Sequence, residues 1–203
     1  MRRTPWVVLL LVTLQFGFSR QAVTAQEASP ASAAADKIPA DKQTQLGLYV
    51  TAQEAYQKWK ADPQKVTILD VRTPEEYAFV GHAEMARNVP LMFMAYEWDA
   101  EKDRPVMKRN PDFLTRVKET MNPKDTILVT CRSGQRSKMA CELLAEAGFK
   151  RVYNIVDGME GDVVKDPNRP DVGKRTINGW KNAGLPWTYD IDTKLIYLAP
   201  KKK

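Results

Sequence analysis

The stretch Ile127-Leu128-Val129-Thr130-Cys131-Arg132-Ser133-Gly134-Gln135-Arg136-Ser137 limits what this chain can fold into more than any other. Its opening residues form a short apolar run, the pattern of a buried strand. The run passes straight into a cysteine, then a glycine that allows a tight turn, then a helical pattern from Arg136 to Ala147 that Gly148 closes. A strand joined to a helix by so short a loop puts Cys131 at the carboxyl end of the strand, beside the helix N-terminus. Ligands of open α/β sheets bind at that end.

The alternation repeats elsewhere. Thr51-Ala52-Gln53-Glu54 matches a helix-capping box, and Ala55, Tyr56 and Trp59 follow at helical spacing. Val66–Val71 reads as a buried strand whose tip, Asp70 and Arg72, turns polar. Thr73-Pro74-Glu75-Glu76 opens a helix, with proline in the first turn and acids at its positive end. Asn88–Leu91 and Arg151–Ile155 supply further short strands, and Phe113–Met121 a further helix. Strands alternating with helices predict an α/β domain, a parallel sheet with helices on both faces. Residues 92–110 fit neither pattern and are expected to form a long irregular excursion, aromatic and rich in methionine.

A loop curled around Cys131 aims backbone N–H groups at the sulfur, and the helix dipole behind it favours an anion. Arg132, Arg136 and Lys138 add positive charge. These conditions lower a thiol pKa. Cys131 is therefore expected to be a thiolate nucleophile, held in an anion-binding loop of Arg132, Ser133, Gly134, Gln135, Arg136 and Ser137. The same cradle suits a persulfide anion and attracts a small anionic sulfur donor. Cys141 lies about 7 Å along the following helix at 1.5 Å per residue, which disfavours a disulfide with Cys131. It is expected to be a core residue beside Ala140, Leu144 and Ala147.

Composition mainly excludes. The net charge of +6 falls to +3 without residues 1–25, which carry Arg2, Arg3 and Arg20 and no acid, and Lys201-Lys202-Lys203 accounts for the remainder. No basic stripe interleaved with aromatics is left, so a nucleic-acid surface is not expected. Arg2-Arg3, the apolar stretch Trp6–Phe18 and the small residues Val23-Thr24-Ala25 read as an export signal. Its apolar run is short of the roughly 20 residues that span a bilayer, so no membrane span is expected after cleavage. The destination should be periplasmic or secreted. Residues 26–45, rich in Ala, Ser and Pro, are expected to be a flexible linker. Residues 46–190 form the folded domain and 191–203 a tail, in which Leu195-Ile196-Tyr197-Leu198 either adds a strand or packs down.

Several motifs, in order, resemble the single-domain rhodanese family. Leu69-Asp70-Val71-Arg72-Thr73-Pro74-Glu75-Glu76-Tyr77 matches its first signature, followed by Gly81-His82 and Asn88-Val89-Pro90. The Cys131–Ser137 loop, Gly148-Phe149, Asp157-Gly158, Gly179-Trp180 and Ala183-Gly184-Leu185-Pro186 complete the resemblance, over roughly residues 46–188. It implies a rhodanese-like five-stranded parallel sheet and sulfurtransferase chemistry. Cys131 would take a sulfane sulfur from thiosulfate or polysulfide and pass it to cyanide, a thiol or a protein acceptor, with no cofactor. A persulfide carrier dedicated to one partner protein is the alternative. A phosphatase or arsenate reductase of the same fold is the weaker one. Those phosphatases use a Cys-x5-Arg loop, whereas Cys131 and Arg136 are spaced Cys-x4-Arg. The smaller ring suits one sulfur atom better than a phosphate.

Asp70 and Arg72 brace the active loop, with Asp70 accepting its hydrogen bonds, form a strand-end ion pair, or do both. Glu76 either pairs with Arg136 and orients it or remains a solvated first-turn acid. His82, the only histidine, gets no catalytic role, because attack by a thiolate needs no base. One histidine and two separated cysteines give no metal cluster. Residues 92–110 and 162–178 depart from a minimal rhodanese, as a lid or docking face or as plain surface insertions.

Overall fold

A computed structural model describes residues 38–199 of the chain. The expected export signal lies outside the described residues. In chain order the strands are β1 (Tyr49–Val50), β2 (Val66–Asp70), β3 (His82–Ala83), β4 (Arg87–Asn88), β5 (Met92–Asp99), β6 (Arg104–Arg109), β7 (Thr126–Thr130), β8 (Val152–Ile155), β9 (Asp162–Val163), β10 (Arg175–Ile177) and β11 (Trp187–Thr188). The helices are α1 (Ala52–Ala61), α2 (Pro74–Phe79), α3 (Phe113–Thr120) and α4 (Gln135–Glu146).

Five strands form one sheet in the order β1-β8-β7-β2-β4, and every pairing in it is parallel. The cysteine-bearing strand β7 is therefore central, which explains its unbroken apolar run: both of its faces are covered. Side chains alternate across the sheet. Ile127 and Val129 point into one core with Leu69, Val117, Ala140, Cys141 and Leu144, while Leu128 joins Ile68, Ala55, Tyr77, Met159 and Trp180 on the other side. Helices α3 and α4 thus cover one face, and α1 and α2 the other. Both capping boxes are formed, Thr51 with Glu54 and Thr73 with Glu76.

Three segments differ from their sequence-based expectation, and the tail takes one of the two forms expected of it. Residues 92–110 are not irregular: β5 and β6 pair as an antiparallel hairpin whose tip, at Asp103, adopts a positive φ of 47°. The strand expected at Asn88–Leu91 is confined to Arg87–Asn88. The described part of the expected linker is packed down: Ala40–Lys42 forms a 3-10 turn, Lys42 is buried, and the Gln45 amide donates to Glu142 Oε1 at 3.0 Å. Composition missed this because the anchors are backbone and polar groups instead of large apolar side chains. In the expected tail, Leu195 packs down without joining the sheet, its carbonyl accepting the Asn88 amide at 2.8 Å, and Tyr197 packs on Phe93.

Candidate active site

Strand β7 ends at Thr130, whose carbonyl accepts the Val71 amide at 2.9 Å, so the tips of β2 and β7 are tied together where the loop begins. Cys131 follows, only 1% exposed. The loop turns at Gly134, with φ at 95°, a left-handed conformation suited to glycine. A side chain there would overlap the Val156 carbonyl oxygen and press on Lys42. The turn brings the Gly134 N–H back to Cys131 Sγ at 3.2 Å. Sequence reasoning expected several amides on the sulfur; among the described residues only this one reaches it. The amides of Arg132, Ser133, Gln135 and Arg136 have no acceptor among the described residues.

Ser137, in the first turn of α4, places its hydroxyl 3.4 Å from Cys131 Sγ and 2.6 Å from Asn154 Oδ1. Asn154 donates its two amide protons to the carbonyls of Lys42, at 2.9 Å, and Gly134, at 3.1 Å. Its oxygen is therefore fixed toward Ser137, whose single proton is shared between the amide oxygen and the sulfur. No sequence motif pointed to Asn154. A polar residue in the otherwise apolar strand β8 was the available signal, since buried amides need partners.

The other wall is the turn after β8. Met159 N–H donates to the Cys131 carbonyl at 2.8 Å, and Glu160 N–H to that of Arg132 at 3.0 Å. Gly158 packs so closely that a Cβ would lie 2.6 Å from the Arg132 oxygen. Asp157 anchors this turn by accepting the amides of Ala52 at 2.8 Å and Gly179 at 3.2 Å. The carbonyls of Cys131 and Arg132 are thus held by this turn.

Arg136 and Glu76 meet in a bidentate pair, both contacts at 2.6 Å. Burial works against the Arg136 charge, but the Glu76 carboxylate outweighs it and raises its pKa. Burial likewise opposes the Glu76 charge, and Arg136 together with the Thr73 amide holds its carboxyl below the ordinary value. Arg132 is exposed and makes no ion pair among the described residues. Gln135 is exposed and directed to Asp41.

Asp70 accepts no hydrogen bond from the Cys131–Ser137 loop among the described residues. It pairs with Arg72, fully buried, the guanidinium contacts running from 2.6 to 3.0 Å. Arg72 also donates to the Gly81 carbonyl at 2.8 Å. This strand-end pair shapes the turn leading to Thr73, the cap of α2, and so sets where Glu76 arrives. His82 stacks on Tyr77 with its Nδ1 3.0 Å from the Tyr77 carbonyl, and burial lowers its pKa. Cys141 is a free thiol in the core, pushed up by burial, the opposite of a reactive cysteine. No helix among the described residues is long and apolar enough to cross a membrane.

A protein-family model described as a rhodanese-like domain matches residues 51–163. The senescence-associated protein DIN1 of Raphanus sativus is 34% identical over 141 residues, covering 70% of this chain and 66% of that protein. The chloroplastic thiosulfate sulfurtransferase 16 of Arabidopsis thaliana is 44% identical over 90 residues, 44% of this chain and 68% of that one. The chain thus spans about two thirds of the length of either relative. Among solved structures, Rv0390 from M. tuberculosis superimposes with a TM-score of 0.54 at 27% identity, over 70% of this chain and 96% of that one.

Proposed function

This chain belongs to the rhodanese-like domain family, and from that premise we propose that it is a sulfurtransferase whose Cys131 carries the sulfur as a persulfide. One observation carries the reading: a buried cysteine at the floor of a loop whose remaining amides have no other acceptor. Backbone donors left open beside a sulfur at a helix N-terminus can receive an anion placed there. An outer sulfur atom on Cys131 is such an anion.

The chemistry is a pair of displacements. The Cys131 thiolate attacks the sulfane sulfur of thiosulfate, the S–S bond of the donor breaks, and sulfite leaves with the bonding electron pair. The product is a Cys131–S–S⁻ persulfide. In the second step a thiolate or cyanide attacks the outer sulfur, and the Cys131 thiolate departs. Charge balances in both steps, and no proton, oxidant or cofactor is required. The protein supplies positioning and fixed N–H donors for charge that moves along the S–S axis. Glu76 holds Arg136 in place beside the loop.

Thiosulfate or polysulfide as donor and a small thiol, cyanide or protein thiol as acceptor remain part of this proposal. So does a periplasmic or secreted location, which rests on the Arg2-Arg3 pair and the apolar stretch Trp6–Phe18. The thiosulfate sulfurtransferase among the relatives supports the donor. Mass spectrometry after incubation with thiosulfate tests the core of it. The Cys131 peptide should gain the mass of one sulfur atom, lost again on adding cyanide and absent in Cys131→Ser. If neither thiosulfate nor polysulfide leaves a sulfur on that peptide, the reading fails.

A further inference from the structure

The segment 162–178 returns to the active site instead of looping away from it. Its strand β10 ends against the turn that walls the cysteine loop: a Cβ on Gly161 would overlap the carbonyl oxygens of Ile177 and Asn178. Gly179 presses equally closely on Gly161. This packing delivers Arg175, whose Nη1 donates to the Gly161 carbonyl at 2.6 Å. One residue earlier, the Glu160 amide holds the Arg132 carbonyl. Arg175 and the loop arginine Arg132 are thus held by consecutive residues of the turn that walls the cysteine loop.

Two of the nearby carboxylates are engaged elsewhere. Asp162 is paired with the buried Lys42 at 2.9 Å and accepts from Asn178 at 3.0 Å. Glu76 is taken by Arg136. Glu160 forms no ion pair, and neither Arg132 nor Arg175 has an ion-pair partner among the described residues. The two cations feel each other: burial and then Arg132 lower the Arg175 pKa. Two guanidinium groups held on neighbouring contacts of one wall, neither in an ion pair, favour an incoming anion, and a doubly charged one most.

We propose that Arg175, contributed by the 162–178 segment, and Arg132 together bind the oxyanion end of a dianionic sulfur donor such as thiosulfate. This rests on the sulfurtransferase reading above and adds a donor-charge preference set outside the cysteine loop. Sulfite, the dianion that leaves when thiosulfate is cleaved, would be held by the same pair. Arg136, committed to Glu76, orders the loop, while Arg132 and Arg175 meet the donor.

Binding and turnover separate the two claims. In full-length Cys131→Ser, which cannot take up sulfur, thiosulfate affinity is measured by calorimetry with and without Arg175→Gln. The glutamine variant should bind about tenfold more weakly, near 1.4 kcal/mol. Arg175→Lys should recover most of that loss, as charge and not the Gly161 contact is what matters. Methanethiosulfonate, which offers the same sulfane sulfur with one negative charge fewer, should lose less than about threefold. In the protein with Cys131 intact, Arg175→Gln should raise the thiosulfate KM with kcat little changed, and salt should erase the difference. Equal losses for both donors, no rescue by lysine, unchanged thiosulfate affinity or no thiosulfate binding at all would each overturn the subsite. Failure of the intact protein to load sulfur overturns the reaction instead, whatever the binding series gives.

Discussion

The two long departures from a minimal domain, residues 92–110 and 162–178, have opposite relations to the active site. The first is the β5–β6 hairpin, turned outward, with Tyr96 fully exposed and Trp98 61% exposed. Its base is held by Asn110, which donates to the Pro90 carbonyl, and by Phe93 on Tyr197. The second is tied to the wall of the cysteine loop through Gly161, Gly179, the Asp162–Lys42 pair and Arg175. Added length alone says little about function; what matters is whether its hydrogen bonds end on the backbone around Cys131.

Substitutions can break that contrast. The largest effect is expected at Gly161→Ala, where φ is 82° and the new methyl meets carbonyl oxygens. Clash and strain together should destabilise the fold by about 3 kcal/mol or more, read from urea unfolding, with sulfur loading falling in step. If the variant folds and loads normally, the two walls are not coupled as described.

Glu76→Gln comes next, leaving the half-buried Arg136 without its carboxylate at a cost of about 2 kcal/mol. It also carries a pH signature. The folded Glu76 carboxyl titrates below its ordinary value of 4.5, so its stabilisation is complete above that pH and lost as pH falls through the lower folded value. Unfolding midpoints measured from pH 6 to pH 3 should therefore converge for the variant and the parent at the acid end. Midpoints that stay equally far apart at every pH would mean the pair contributes through packing alone.

Smaller still is Asp162→Asn. Its carboxylate is 43% exposed, and solvent screening should hold the stability loss to about 0.5 kcal/mol. The informative measurement is hydrogen exchange at the Gly134 and Asn154 region, which should quicken once Lys42 is released. Least of all is Tyr96→Ser with Trp98→Ser at the hairpin, expected within about 0.5 kcal/mol and without effect on sulfur loading. A loss of loading there would erase the distinction between the two segments.

Much of the frame was legible. Apolar runs locate β2, β7 and β8, and the capping box Thr51 to Glu54 and the proline and acids of Thr73-Pro74-Glu75-Glu76 mark two helix starts, because those signals are local. The hairpin was not, since no Gly-containing turn breaks residues 92–110 and its alternating apolar face, Met94, Tyr96 and Trp98, stays exposed. At the site, the place of Cys131 directly after β7 and the Glu76–Arg136 pairing follow from the sequence, and of the readings open for Asp70 and Arg72 the strand-end ion pair is the one formed. Asn154, Lys42 and Arg175 were missed. Asn154 and Lys42 reach the loop, and Arg175 the Gly161 turn beside it, across large sequence separations, and none belongs to a local pattern that foretells its partner.

The amide of Asn154 spans two carbonyls that lie far apart along the chain, those of Lys42 and Gly134. Cutting the protein back to the family's own limits, residues 51–163, would strand one of those protons in a dry interior and delete Arg175 as well. A piece that keeps both partners of Asn154 and the Arg175 contact on Gly161 therefore reaches past those limits at both ends. Anyone transplanting this cysteine loop onto another scaffold must carry its distant neighbours with it.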